Sequence, residues 1–206
     1  MKKLQTYQEK LWKGKFGDDY IDRNKSDNLL SSKIFMFTQI IRSTEDVKSV
    51  FEIGSNIGLN LVAINKLLPS AMLHGIELNK KAYNELAKIN YVNSYYGSFL
   101  NFDMDITADL VFTCTLLIHI NPSLLSLVYD KIARISKRYV LMAEYYSPNQ
   151  QEIIYRGKKD CLFKRDFAGE FLERHKEFRL VDYSFIYHKD NTFPIDDITW
   201  FLMEKK

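Results

Sequence analysis

Apolar residues along the chain follow two alternating rhythms. Val47 to Ile53, Met72 to Glu77, Asn93 to Tyr96, Asp109 to Thr115 and Tyr139 to Tyr145 are short runs rich in β-branched and aromatic residues, which predict strands. Between them lie stretches with apolar positions at helical spacing. Leu30, Ile34, Phe37 and Ile41 mark a helix over Leu29 to about Ser43, with Ser26 or Asp27 as its cap. Gly58 to about Leu68 is a second helix, stopped by Pro69, and Asn79 caps a third that carries Ala82, Leu86 and Ile89 inward. Asn121-Pro122 supplies a cap and a first helical residue after the fourth strand. A polar connection from Ser147 to Arg165 precedes a helix from about Asp166 to His175. Arg179 to His188 and Thr199 to Glu204 then read as an antiparallel pair at one sheet edge. Strand, helix, strand at this spacing predicts an α/β fold with a mostly parallel sheet and right-handed crossovers.

Ahead of this pattern the chain is charged and aromatic. Trp12, Phe16 and Tyr20 recur every four residues, and Gly14 and Gly17 punctuate the segment, so a helix, a turn and a short helix are expected there. Residues 1–45 are expected to form an N-terminal helical lid over a doubly wound domain of residues 46–206, the two making one structural domain. The 206 residues fit that size, and 46% hydrophobic with 14% aromatic content is ample for a packed core.

A formal net charge of +3 gives no electrostatic reason to expect nucleic acid as a partner. Cys114 and Cys161 form no metal-type pair, so reduced thiols are expected and no metal. The start carries no apolar leader, and no apolar run approaches the ~20 residues of a membrane span, so a cytoplasmic protein without a membrane partner is expected.

The chemistry is sought at Val50-Phe51-Glu52-Ile53-Gly54-Ser55-Asn56-Ile57-Gly58-Leu59-Asn60, where a strand breaks into a glycine turn and resumes as a helix. A dinucleotide pyrophosphate favours G-x-G-x-x-G at such a turn, so that backbone N–H groups can approach it. This chain has Gly54-x-x-x-Gly58 instead. A ligand ending in an amino-acid zwitterion needs acceptors for its ammonium and donors for its carboxylate, which Glu52 before the turn and the turn itself can offer. Glu77, ending the second strand, can accept two ribose hydroxyls. Both together point to an adenosyl sulfonium.

These residues resemble the class I S-adenosylmethionine-dependent methyltransferases, whose pattern is E-x-G-x-G-x-G with an acid ending strand two. Glu52, Gly54 and Gly58 match, and Asn56 replaces the middle glycine with a residue that tolerates left-handed backbone. The resemblance implies a Rossmann-like, seven-stranded sheet with an antiparallel edge and S-adenosyl-L-methionine as cofactor. Glu52, Gly54, Ser55, Asn56, Gly58, Asn60, Glu77, Leu78, Ser98, Phe99 and Thr115 are the expected cofactor residues, with adenine near Leu78, Ser98 and Phe99.

His119, just past strand four, and His188, late in the chain among tyrosines, are the candidate catalytic bases. His74 and His175 read as packing or surface residues. Tyr155 to Asp166 holds five cations, of which Arg156, Lys164 and Arg165 are candidates for an anionic substrate, with Trp12, Tyr20, Arg23 and Tyr145 as further substrate contacts. The N-terminal Trp12-Lys13-Gly14-Lys15-Phe16-Gly17-Asp18-Asp19-Tyr20-Ile21-Asp22-Arg23-Asn24, the Leu117-Ile118-His119-Ile120-Asn121-Pro122 junction, Tyr155-Arg156-Gly157, Leu162 to Glu170 and Asp196 to Leu202 look like the pseudaminic acid biosynthesis-associated methyltransferases. That resemblance implies a small acidic sugar of nonulosonic acid type, or its nucleotide-linked precursor, as methyl acceptor. A nicotinamide-dependent reductase, a non-catalytic adaptor that binds S-adenosylmethionine, and an RNA methyltransferase are the competing readings.

Overall fold

The computed structural model describes residues 5–23, 27–103 and 105–206. Two short helices, α1 (Tyr7–Lys13) and α2 (Lys15–Arg23), precede a longer one, α3 (Asp27–Ile41). The expected turn between the first two falls at Gly14, and Thr6 with Glu9 forms a reciprocal capping box that starts α1. The expected cap Ser26 lies outside the described residues.

Strand and helix then alternate: β1 (Ser49–Ile53), α4 (Leu59–Leu67), β2 (Met72–Glu77), α5 (Lys80–Leu86), β3 (Val92–Tyr96) and β4 (Ala108–Cys114). They continue with α6 (Leu125–Ile135), β5 (Ser136–Glu144), β6 (Gln151–Glu152), β7 (Phe163–Lys164), α7 (Phe167–Arg174), β8 (Phe178–Ile186) and β9 (Ile198–Lys205). Asn79 caps α5 by accepting from the Ala82 N–H at 3.0 Å, and Asp166 caps α7. The connection read as polar loop contains the two-residue antiparallel hairpin β6–β7.

Seven strands form one sheet in the order β3-β2-β1-β4-β5-β9-β8. The first five are parallel, and β9 and β8 run antiparallel to β5 and to each other. The chain leaves β1 toward β2 and β3, then returns to β4 on the other side. The carboxyl ends of β1 and β4, in register at Ile53 and Thr113, therefore flank the point where strand order reverses.

Alternation along each strand divides the core between the two faces. Val50, Leu110, Phe112, Leu141 and Leu202 face one layer, with α3 and α4. Phe51, Val111, Val140 and Met142 face α6 and α7. Met36, Phe37 and Ile40 of α3 are fully buried in the first layer, so this helix is part of the core. His74 is buried too, its ring roughly parallel to those of Phe51 and Tyr95 and beside both. No helix among the described residues is long and apolar enough to cross a membrane.

Candidate cofactor and acceptor site

The glycine turn is tied to the second strand before it reaches any ligand. The N–H groups of Gly54 and Ser55 both donate to the Ile76 carbonyl, at 2.9 and 3.0 Å. Gly54 (φ +76°), Asn56 (φ +48°) and Gly58 (φ +86°) all adopt left-handed backbone, so asparagine stands where the resemblance expects glycine and takes the conformation it tolerates. A Cβ on Gly54 would also come within 2.7 Å of the Leu116 side chain.

Glu77 fastens the turn from below. Its Oε2 accepts from the Asn56 N–H at 2.7 Å and its Oε1 from the Asn79 N–H at 2.6 Å. Burial raises its pKa while these backbone donors lower it, the burial effect being larger. Asn79 carries the chain of bonds outward, since its Nδ2 donates to the Trp12 carbonyl at 3.0 Å and to Asp18 Oδ1 at 2.8 Å. The turn, the end of β2 and the two N-terminal helices are thus one hydrogen-bonded unit.

Glu52 departs from expectation. It lies two residues after Val50 and so on the same face, its side chain pointing into the α3–α4 layer rather than the hollow above the turn, and it is fully buried. Its Oε1 accepts from Asn60 Nδ2 at 2.6 Å, and Lys33 Nζ donates to Asn60 Oδ1 at 2.6 Å. Burial pushes its carboxyl up to about 7, against the lowering effects of Asn60 and Lys33. Glu52 sits behind the cavity wall, and Asn60 is its proxy at the surface.

The segment after β4 bends back at Thr115 (φ +52°), whose N–H donates to the Ala143 carbonyl at 2.9 Å. The next three N–H groups, of Leu116, Leu117 and Ile118, point at Glu144 at 3.2, 3.1 and 3.4 Å. This buried carboxylate, held up at about 7 by desolvation, fixes the short turn that carries His119. The His119 Nδ1 lies 2.6 Å from the Cys161 carbonyl, which can only accept, so Nδ1 holds the proton and Nε2 the lone pair. Burial pushes the imidazole down to about 4, leaving it neutral near pH 7. Trp12 packs on it with ring centres 4.5 Å apart, and Tyr155 approaches at 5.7 Å.

One hollow, with a cavity volume of about 170 Å³, joins these parts. Among the expected cofactor residues, Gly54, Ser55, Asn56, Asn60, Glu77, Leu78 and Thr115 line it; His119, Trp12 and Tyr20 line it too. Gly58 starts α4 just behind the wall, where a Cβ would meet Leu86 and Ile89. Ser98 is not on the wall: its hydroxyl donates to Glu9, which is, and it caps the turn Phe99–Asn101. Phe99 packs against Phe102 and under Lys131.

The expected substrate and base residues divide in the same way. His188 is a surface residue whose Nδ1 lies 2.8 Å from Asp197, so the late strand carries it away from the hollow. Arg165 is taken by Glu170 at 2.8 Å. Lys164 lies over the Tyr145 ring at 5.5 Å, and Arg156 over the Tyr155 ring at 5.7 Å. None of these cations lines the hollow, and neither does Tyr145, which hydrogen-bonds Asp196 at its mouth. The side chain of Arg23 lies outside the described residues.

Sequence reasoning missed Glu9, Lys33, Asn79 and Asp196 as wall residues. The Thr6-x-x-Glu9 spacing was legible as a cap, but nothing in it tells where the helix docks.

This sheet order is met in solved structures across nearly the whole chain. The magnesium protoporphyrin IX methyltransferase of Synechocystis PCC 6803, with S-adenosylhomocysteine bound, matches with a TM-score of 0.68 and 11% identity, over 96% of this chain and 98% of that one. The fold is that of the class I methyltransferases. An amino pentose methyltransferase of calicheamicin biosynthesis from Micromonospora echinaspora, with S-adenosylmethionine bound, has the same methyltransferase fold: TM-score 0.63 and 11% identity over 100% of both chains. A glycopeptide N-methyltransferase complexed with S-adenosylmethionine gives 0.62 and 12%, over 85% of this chain and 94% of its own. No protein-family model matches the chain, and no curated protein matches it either.

Proposed function

We propose that the protein is an S-adenosylmethionine-dependent methyltransferase acting on a small molecule. The observation that carries this reading is the bond chain from Asn56 through Glu77 to Asn79, which sets a glycine turn and a strand-end carboxylate on one hollow. Such a hollow has a place for each end of an adenosyl sulfonium. Glu77 and Asn79 are placed for ribose hydroxyls, while Asn60, backed by Glu52 and Lys33, and the turn around Ser55 and Asn56 are placed for the amino-acid end. Glu9 reaches the same wall from α1, and α1 with α2 acts as a lid on the site.

When bound, this cofactor supplies an electrophilic methyl group. The protein's share is alignment and exclusion of water by Trp12, Tyr20 and the His119 turn.

The finer reading is an acidic sugar of nonulosonic acid type as acceptor, in a cytoplasmic pathway. It is supported by the resemblance of several segments, and by Arg156 on the Tyr155 ring, which in turn meets the His119 ring at the rim. Calorimetric titration tests the first half: micromolar to submillimolar binding of S-adenosylmethionine is expected, and no heat beyond dilution at millimolar cofactor would refute it. A melting point that rises with NADH and not with S-adenosylmethionine would favour the reductase reading instead.

A further inference from the structure

The charges on the hollow are the opposite of what an anionic nucleophile needs. Among the described residues its lining acids are Glu9, Glu77 and Asp196, and its lining cation is Lys33, already bonded to Asn60 at 2.6 Å. Glu77 is satisfied by two backbone N–H groups, and Glu9 by the Thr6 N–H and the Ser98 hydroxyl. Asp196 is the exposed one, standing at the mouth with the Tyr145 hydroxyl as partner and near enough to Tyr20 to raise its pKa.

His119 adds a second, independent observation. A histidine that must remove a proton from a hydroxyl before attack becomes an imidazolium, and a carboxylate on its far nitrogen stabilises that charge. Here the far nitrogen meets the Cys161 carbonyl, a neutral group, in a fully packed surrounding. Trp12 and Tyr20 wall the space instead, and ring faces attract a cation. Transfer to a neutral amine needs no prior deprotonation, and positive charge passes from sulfur to nitrogen within the site.

Resting on the methyltransferase reading above, we infer that the acceptor is a small molecule methylated at an amine nitrogen, with Asp196 drawing that amine into the mouth as its ammonium, which gives up a proton to water there. The freed nitrogen lone pair forms the N–C bond as the C–S bond breaks with its electron pair leaving on sulfur. The methylated ammonium carries the positive charge out of the site, and no side chain has to take a proton.

The test uses S-adenosylmethionine labelled in its methyl group and a small-molecule extract of the source cells, half of it first treated with N-hydroxysuccinimidyl acetate to block amines and leave hydroxyls. Label is expected on nitrogen by fragment mass, and is expected to vanish in the acetylated half. Label on oxygen or carbon, or label that survives acetylation, overturns the inference. No label from protein that binds the cofactor by calorimetry overturns it too, while leaving the cofactor half of the proposed function standing; no cofactor binding removes both. Asp196→Asn keeps an acceptor for Tyr145 and removes only the charge. Labelling is expected to fall roughly 5-fold at limiting extract and to recover at excess, with cofactor affinity unchanged. Equal loss at both extract levels overturns the role of Asp196. A binding readout stands apart from turnover: the labelled product, isolated by mass, should bind the S-adenosylhomocysteine-loaded wild type more tightly than the Asp196→Asn variant. Equal affinities overturn the role of Asp196 on their own.

Discussion

Gly17→Ala isolates the docking of the N-terminal helices from the rest of the fold. An added Cβ would lie 2.0 Å from the Trp12 carbonyl oxygen and 2.8 Å from Asn79 Nδ2. Ordinary contacts start above about 3.2 Å, so α2 must back away by roughly 1 Å. That moves Asp18, whose Oδ1 accepts from the same Asn79 Nδ2 at 2.8 Å, beyond hydrogen-bonding range. A bond to a charged acceptor contributes about 1.5–3 kcal/mol. Alanine returns about 1 kcal/mol through its better helix propensity, leaving a net loss of about 0.5–2 kcal/mol in the docked state. Since about 1.4 kcal/mol is a tenfold change, opening of α1 and α2 should become roughly 2- to 30-fold more frequent. Amide hydrogen exchange reads this directly: amides of residues 7–23 should exchange faster by that factor, with β1 and β4 unchanged. Cofactor affinity should fall in parallel, because Glu9 and Trp12 belong to the wall. Unchanged protection over 7–23, or a uniform loss across the chain, would refute the reasoning.

Three further outcomes follow from other residues. Glu77→Ala strands two buried N–H groups and removes the ribose acceptor, so S-adenosylmethionine binding should weaken by at least about 1.5–3 kcal/mol, seen by calorimetry beside a melting curve that reports the structural share. Glu52 and Glu144 are carboxyls raised to about 7, so the folded state holds their protons more tightly than the unfolded chain. The stability they contribute is complete below the unfolded pKa near 4.5 and is lost as pH rises through about 7. Glu52→Gln should therefore flatten the fall in denaturant midpoint between these pH values, and an unaltered curve would show that Glu52 does not titrate there. His188→Ala removes an exposed hydrogen bond to Asp197 and a ring contact with Tyr187, so stability should change by less than about 1 kcal/mol and cofactor affinity not at all; a large loss of either would put His188 back at the site.

Local pattern carried the reading of the sheet a long way. Met72–Glu77 was legible to the residue because a β-branched and apolar run ends at an acid followed by an asparagine cap. The turn was legible because glycine and asparagine are the residues that take positive φ cheaply, and all three do so. The direction of Glu52 was also written in the sequence, in its place two residues after Val50. The motif drew attention to the acid and away from the period of two.

What a residue meets across the fold was not legible. Gln8 of α1 bonds the Asp160 carbonyl 152 positions away, and His119 meets the Cys161 carbonyl 42 positions away. These contacts depend on how the 147–165 connection folds back, which short-range propensity does not encode. The cation-rich run was visible as charge, yet only packing decided that Arg165 would be spent on Glu170 while Asp196, between β8 and β9, would stand at the mouth. Sequence alone determined the order of strands and helices, the left-handed turn and the acid ending the second strand, because each is set by backbone preference within a few residues. Tertiary structure decided which side chains share the hollow and what charge they leave in it, because those depend on burial and on partners brought from distant parts of the chain.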